Sequence, residues 1–274
     1  MQHISTFVIV AGLLLLGACS REYPTELMNA AKDGNLQAVM AAAKRGVEVN
    51  GRSNKGKNAL MFAASEGHLD VVQWLLGQGT NVNDADNYGT TALIVASTAG
   101  HHEVVKLLLA HDADPQVRDD SGSAPLVNAV YFGHTETVQL LIDHLMQGNN
   151  SSSSESSSQE GMLQNRDPQT LASLEKKRRL DKRDGEELMM LAAGLGHIDV
   201  VRLMAKAGID VNGRGLKQRT PLMSAAAFNR VDVINVLLEA GADPLARDED
   251  GNTAIDVAQD RGSADVEAVL TKIH

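Results

Sequence analysis

Residues 89–109 read GTTALIVASTAGHHEVVKLLL. Two short amphipathic runs, each with apolar residues three and four apart, meet at Gly100. Outward from this stretch the same phase returns every 33 residues. Gly34, Gly67, Gly100 and Gly133 are 33 apart, and after a gap Gly196, Asn229 and Gly262 resume the step. Ala30, Ala63, Ala96, Ala129, Ala192, Ala225 and Ala258 stand four residues before each marker. Leu27, Leu60, Leu93, Leu126, Met189, Leu222 and Ile255 stand seven before it.

The spacing predicts two short helices per unit, each with one buried stripe. Alanine in the first helix lets neighbouring helices approach closely. Glycine between the helices admits positive φ in a tight turn, and Gly46, Gly79, Gly208 and Gly241 sit where a C-cap glycine closes the second helix. One such unit cannot cover its own apolar face, whereas a row of units can, so the expected fold class is an all-α solenoid of seven helix-turn-helix units. Aromatic residues are only 3% of the chain, which leaves a core of Ala, Leu, Val and Met and favours helices.

These residues resemble the ankyrin repeat. Gly89-Thr90-Thr91-Ala92-Leu93, Arg219-Thr220-Pro221-Leu222 and Glu239-Ala240-Gly241-Ala242-Asp243 are close to its signature, as are the Gly-His pairs and the Val-Val-x-Leu-Leu runs. The resemblance spans residues 24 to 270. Every unit departs from it at one place: the histidine of Thr-Pro-Leu-His is replaced by Met28, Met61, Ile94, Val127, Met190, Met223 and Asp256. The hydrogen bonds of that histidine are therefore expected to be missing.

Between Gly133 and Gly196 lie 63 residues, one period plus 30. The surplus contains NNSSSSESSSQE at 149–160, which has no apolar side chain to bury and reads as a disordered insertion between units four and five. Its second half, DPQTLASLEKKRRLDKRD, is basic, and Asp167-Pro168 could open a short helix. The insertion is either a solvated linker or a flap over the groove.

At the other end, FVIVAGLLLLGA (7–18) is too short to span a bilayer, which takes about 20 residues, and suits the apolar part of a secretory signal. Leu16-Gly17-Ala18-Cys19 resembles the bacterial lipoprotein processing motif, although no Lys or Arg precedes the apolar run. The resemblance implies cleavage before Cys19, acylation of that cysteine, and, since Ser20 is not Asp, retention at the outer membrane facing the periplasm. An ordinary signal peptide with an incidental cysteine is the alternative. The expected division is a signal peptide at 1–18, an acylated tether at 19–24, repeats one to four at 25–145, the insertion at 146–181 and repeats five to seven at 182–274.

A net charge of −10 argues against nucleic acid as a partner. With Cys19 the only cysteine, no internal disulfide forms. His68, His101, His134 and His197 recur one per unit, so stacking holds them about 8–10 Å apart, too far to share one zinc. Asp248-Glu249-Asp250-Gly251-Asn252 faintly resembles the start of a calcium loop but lacks its closing glutamate. No catalytic or cofactor motif is present, so no enzyme, cofactor or small-molecule substrate is expected.

In the ankyrin family, partners usually meet the loop tips and the ends of the first helices. The corresponding positions here are charged at both ends of the row and apolar or aromatic in its middle. Tyr131, Phe132, Leu195 and Phe228 close first helices, and Tyr88 and Leu216 stand on loop tips. These six are the candidate partner-binding residues, read either as a hot spot for another protein or as packing between neighbouring units. The implied function is a membrane-anchored protein–protein interaction module, with an immunity protein against a periplasm-acting toxin as one role. Accessory roles in envelope or oxidative-stress defence and a structural envelope lipoprotein are the alternatives.

Overall fold

The computed structural model describes residues 25–147 and 182–272. The segments outside these bounds include the run that resembles a lipoprotein motif around Cys19, the serine run, and the helix start expected at Asp167-Pro168. Among the described residues the chain forms fourteen α-helices, and the nearest approach to a strand is a single bridge between Ala85 and Thr91. In chain order the helices are α1 (Glu26–Lys32), α2 (Leu36–Lys44), α3 (Ala59–Glu66), α4 (Leu69–Gly77), α5 (Ala92–Ala99), α6 (His102–Ala110), α7 (Pro125–Tyr131) and α8 (Thr135–Gln147). After the gap come α9 (Lys182–Leu195), α10 (Ile198–Lys206), α11 (Pro221–Ala227), α12 (Val231–Glu239), α13 (Ala254–Asp260) and α14 (Ala264–Thr271).

Odd-numbered helices stack on one another to form the inner row, and even-numbered helices form the outer row. The spine alanines are buried between them, as are Leu27, Leu60, Leu93, Leu126, Met189 and Leu222. Ile255 is only half-buried, because no further unit covers the last one.

Five of the seven inner helices start at a capping side chain placed by the period. The side chains of Thr25, Asn58, Thr91, Thr220 and Thr253 accept the backbone N–H three residues on. Such a cap stabilises a helix by about 1 kcal/mol. Ala124 cannot cap in this way, and Pro125 follows it at the first helical position.

In three units the side chain that replaces the histidine makes hydrogen bonds of its own. The sulfur of Met28 accepts the Thr25 N–H at 3.4 Å and that of Met223 accepts the Thr220 N–H at 3.5 Å. Asp256 Oδ2 accepts the Thr253 N–H at 2.8 Å and its hydroxyl at 2.7 Å. A thioether or carboxylate reaches back to the cap and completes a reciprocal capping box.

The Gly-His pairs act between units. His68, His101 and His134 place Nε2 at 2.8–3.0 Å from the carbonyls of Lys32, Ser65 and Thr98, each 36 residues earlier. A carbonyl only accepts, so Nε2 carries the proton. The ring also covers the marker glycine of the preceding unit: at Gly133, which has φ +73°, an added Cβ would lie 2.6 Å from the His197 ring. Asn229 (φ 55°) breaks the glycine series where Ser263, rather than histidine, begins the next outer helix. With no ring above it, a side chain is tolerated there.

The stack crosses the insertion without interruption. Inner helices α7 and α9 pack on each other, as do outer helices α8 and α10. Helix α8 runs on to Gln147 through Leu145, whose counterparts Gly46, Gly79, Asp112, Gly208 and Gly241 all have positive φ and follow the ends of their helices.

Candidate partner-binding surface

Between units the chain forms short fingers. Five are closed by the same backbone bond: Ser53 N–H to Lys57 C=O, Asp86 to Thr90, Asp119 to Ser123, Gly215 to Arg219 and Asp248 to Asn252, at 2.8–3.0 Å. In three of them one aspartate oxygen also accepts two tip N–H groups. Asp86 takes those of Tyr88 and Thr90, Asp119 those of Ser121 and Ser123, and Asp248 those of Asp250 and Asn252. The run that resembles a calcium loop is this turn, with its carboxylate oriented by backbone N–H groups.

Successive tips join through backbone bonds: Asn87 N–H to Lys55 C=O, Asp120 to Tyr88 and Glu249 to Lys217. The row breaks at unit five, where α9 begins at Lys182, five residues before the usual cap position Glu187. The fifth finger is thus replaced by a turn of helix, and Arg118 spans the break to Asp184 at 3.5 Å.

The sixth finger has a different tip. Gly215 stands where the other fingers carry Asp86, Asp119 and Asp248. Its N–H still closes on Arg219 C=O at 3.0 Å, but no carboxylate holds the tip. Residues 216–218 form a 3-10 turn in which Lys217 (φ 58°) and Gln218 (φ 56°) are both left-handed. Such a conformation costs a non-glycine residue about 1–2 kcal/mol. Met190 occupies the space beside Gly215: an added Cβ would lie 2.0 Å from the Met190 methyl, the free end of a flexible side chain.

Here the structure gathers three of the six candidate residues. Leu195, Leu216 and Phe228, with Met190 and Leu191, line an apolar cleft of about 600 Å³ between units five and six. The Phe228 ring lies over Gly194, whose added Cβ would touch it at 3.3 Å. Leu195 is partly buried, and its neighbours are largely exposed, Leu216 at 83% and Phe228 at 63%. Tyr131 and Phe132, one unit earlier, are 52% and 51% exposed and meet edge to face at 5.0 Å. Phe132 also stacks on His134 at 6.1 Å. Tyr88 stands apart, 57% exposed on the third finger. Cys19 lies outside the described residues.

Sequence reasoning missed Met190, Gly215 and Arg230. Arg230 takes the place of the ring histidine, and its Nε donates to the Gly194 carbonyl at 3.1 Å. The phase held a signal for two of them: glycine at an aspartate position and arginine at a histidine position.

Stacked helical pairs with a row of fingers and a concave apolar cleft define a repeat scaffold built for binding, and the comparisons specify which one. The profile described as ankyrin repeats (three copies) matches residues 11–86, 27–119, 78–153 and 162–248, and the chain belongs to the ankyrin-repeat family. The fold is similar to the crystal structure of the human ASB11 ankyrin repeat domain, with TM-score 0.68 and 24% identity, covering 89% of this chain and 97% of that one. It is also similar to the ankyrin repeat domain of Bcl-3, a member of the IkappaB protein family, with TM-score 0.63 and 23% identity, covering 90% of this chain and all of that one. A search of curated protein sequences finds no match. Ankyrin repeats serve in general as protein-interaction scaffolds without catalytic activity.

Proposed function

We propose that this protein is a lipid-anchored periplasmic module that binds another protein through its concave surface, and that the binding neutralises a toxin acting in the periplasm. The observation that carries the binding reading is the exposed apolar set on units four to six. Tyr131, Phe132, Leu216 and Phe228 each leave half or more of their surface in water, and the Tyr131 carbonyl is held by an inter-unit bond from His197. Large apolar side chains on a rigid frame, with charged units to either side, match the anatomy of interaction hot spots. Anchoring is supported by the resemblance around Cys19. Among the described residues no helix is long and apolar enough to cross a membrane.

Crosslinking in intact cells followed by mass spectrometry tests the binding half. One partner should be captured by the wild-type chain and lost on combined change of Tyr131, Phe132 and Phe228 to alanine, with the helical CD spectrum unchanged. An unaltered capture profile, or loss of the helical signal, would refute it. For the anchor, Cys19→Ser should abolish acyl labelling and release the chain from the membrane fraction. For the role, a chain lacking the aromatic set should fail to protect cells that export the captured toxin.

A further inference from the structure

The partner that fits this surface has a definable chemistry. Charge is divided sharply along the solenoid. Residues 58–147 hold two Lys or Arg against eleven Asp or Glu, whereas residues 182–233 hold eight against six. The apolar cleft lies in the second of these regions. Arg219 and Arg230 stand at its edge. A second groove of about 540 Å³ adjoins it, sharing Glu187 and Leu216, and is lined on the finger side by Arg214 and Lys217.

The carboxylates nearby are largely committed. Glu186 pairs with Lys182 at 3.6 Å and Glu187 with Arg183 at 3.3 Å along α9, and buried Asp248 faces Arg219 at 3.8 Å. Arg214 donates instead to the carbonyls of Gln218 and Arg247, at 3.0 and 2.5 Å. Arg230 donates to the Gly194 carbonyl. Among the described residues no carboxylate pairs with Arg214, Lys217 or Arg230.

Resting on the concave-surface reading above, we infer that the joined grooves at Leu216 receive an extended segment of the partner protein that carries a large apolar side chain flanked by Asp or Glu. The apolar side chain enters between Leu195, Leu216 and Phe228, and the flanking carboxylates meet Arg214, Lys217 and Arg230. Complementary charge selects against basic partners and speeds encounter. The chain's own segment 166–181 is a poor occupant, because it carries five Lys or Arg against three Asp or Glu.

The test is fluorescence anisotropy with the full chain in detergent and fluorescein-labelled peptides of about twelve residues. One peptide has a central Trp-Leu pair between Asp/Glu flanks, a second has the same centre between Lys flanks, and a third has a Ser centre between Asp/Glu flanks. The first should bind, and raising salt from about 0.05 to about 0.5 M should weaken it roughly tenfold. Leu216→Ser and Phe228→Ser should each weaken it by about tenfold or more. Combined Arg214→Glu and Lys217→Glu should do the same and raise affinity for the Lys-flanked peptide. Leu216, Lys217 and Phe228 are largely exposed, so their changes should shift stability only slightly. Arg214→Glu also removes its bonds to the Gln218 and Arg247 carbonyls, so each variant is compared well below its own CD melting transition.

Equal binding of the Lys-flanked or Ser-centred peptide would overturn the inference, as would failure of the acidic peptide to bind. So would competition by phosphatidylglycerol vesicles, self-association abolished by Phe228→Ser, or tighter binding after deletion of residues 150–176. If the charge reversals leave crosslinked capture intact while the aromatic changes abolish it, only the acidic-segment inference falls. If neither set alters capture, the concave-surface reading falls with it.

Discussion

His197 hydrogen-bonds the carbonyl of Tyr131 at 2.9 Å across 66 residues of sequence, where the equivalent bonds of His68, His101 and His134 span 36. The difference of 30 is the surplus in the repeat phase. The bond therefore joins the two halves of the solenoid as though the inserted residues were absent, and it holds the end of the helix that presents Tyr131.

His197→Ala should destabilise the chain by about 1–2 kcal/mol, because it removes one inter-unit bond and leaves the Tyr131 carbonyl without that donor. Gly133→Ala should cost at least as much, through the ring contact and positive φ. Asn229→Ala, at the marker with no ring above it, should lose only the left-handed preference of asparagine. Urea denaturation followed by CD ranks the three. The two changes at the junction should also make the transition broader or biphasic, since repeat arrays uncouple at weakened interfaces.

Gly215→Ala should destabilise by no more than about 1 kcal/mol, because the new methyl overlaps only the free end of Met190, which can swing aside. Met190→Ala in the same chain should recover part of that loss. A double-mutant cycle measures it, and a coupling energy near zero would separate the two residues.

Asp256 gives the last inner helix a pH dependence. Hydrogen bonds from the Thr253 N–H, and then from its hydroxyl, hold the Asp256 carboxyl below its ordinary value, outweighing a small opposing effect of burial. The charged form is thus the one favoured by folding. Its contribution is present above the ordinary aspartate value of 3.8 and is lost as pH falls through the lower folded value. Asp256→Ala should cost about 1 kcal/mol at pH 7, the usual worth of a cap interaction. The gap between the two proteins, read from urea midpoints, should close as the pH is lowered below about 4.

Phe228→Ala and Tyr131→Ala should change stability by no more than about 1 kcal/mol each, since half or more of each side chain is already in water. Thermal melts check this. A loss of several kcal/mol would make these side chains part of the packing between units and would remove them from the binding surface.

Most of the architecture was legible because a repeat states its buried positions several times over. Ala96 alone says little. Seven alanines in phase say that one side of every first helix must be covered by the next unit, and the alanines are buried in that way. The exposed aromatics were legible for the same reason, since Tyr131, Phe132 and Phe228 fall where the phase leaves a helix end uncovered. Leu195 was placed on that surface by phase alone and turns out partly buried, on the wall of the cleft it shares with Leu216 and Phe228. The bond made at the methionine position was not legible, since nothing in spacing shows that a thioether can fold back to accept the cap N–H of Thr25 or Thr220.

By itself the sequence determined the two-helix unit, the number of units, and the phase at which inner and outer surfaces alternate, because these follow from local periodicity and from the need of each unit for neighbours. Only the tertiary structure decided that the stack closes across the insertion, that a helical turn replaces the fifth finger, and that Met190 takes the room left by Gly215 to shape a cleft beneath Leu216. Those outcomes depend on contacts between side chains about one period or more apart, where one missing carboxylate changes what a neighbouring unit can fill, and no pattern within a single unit contains that information.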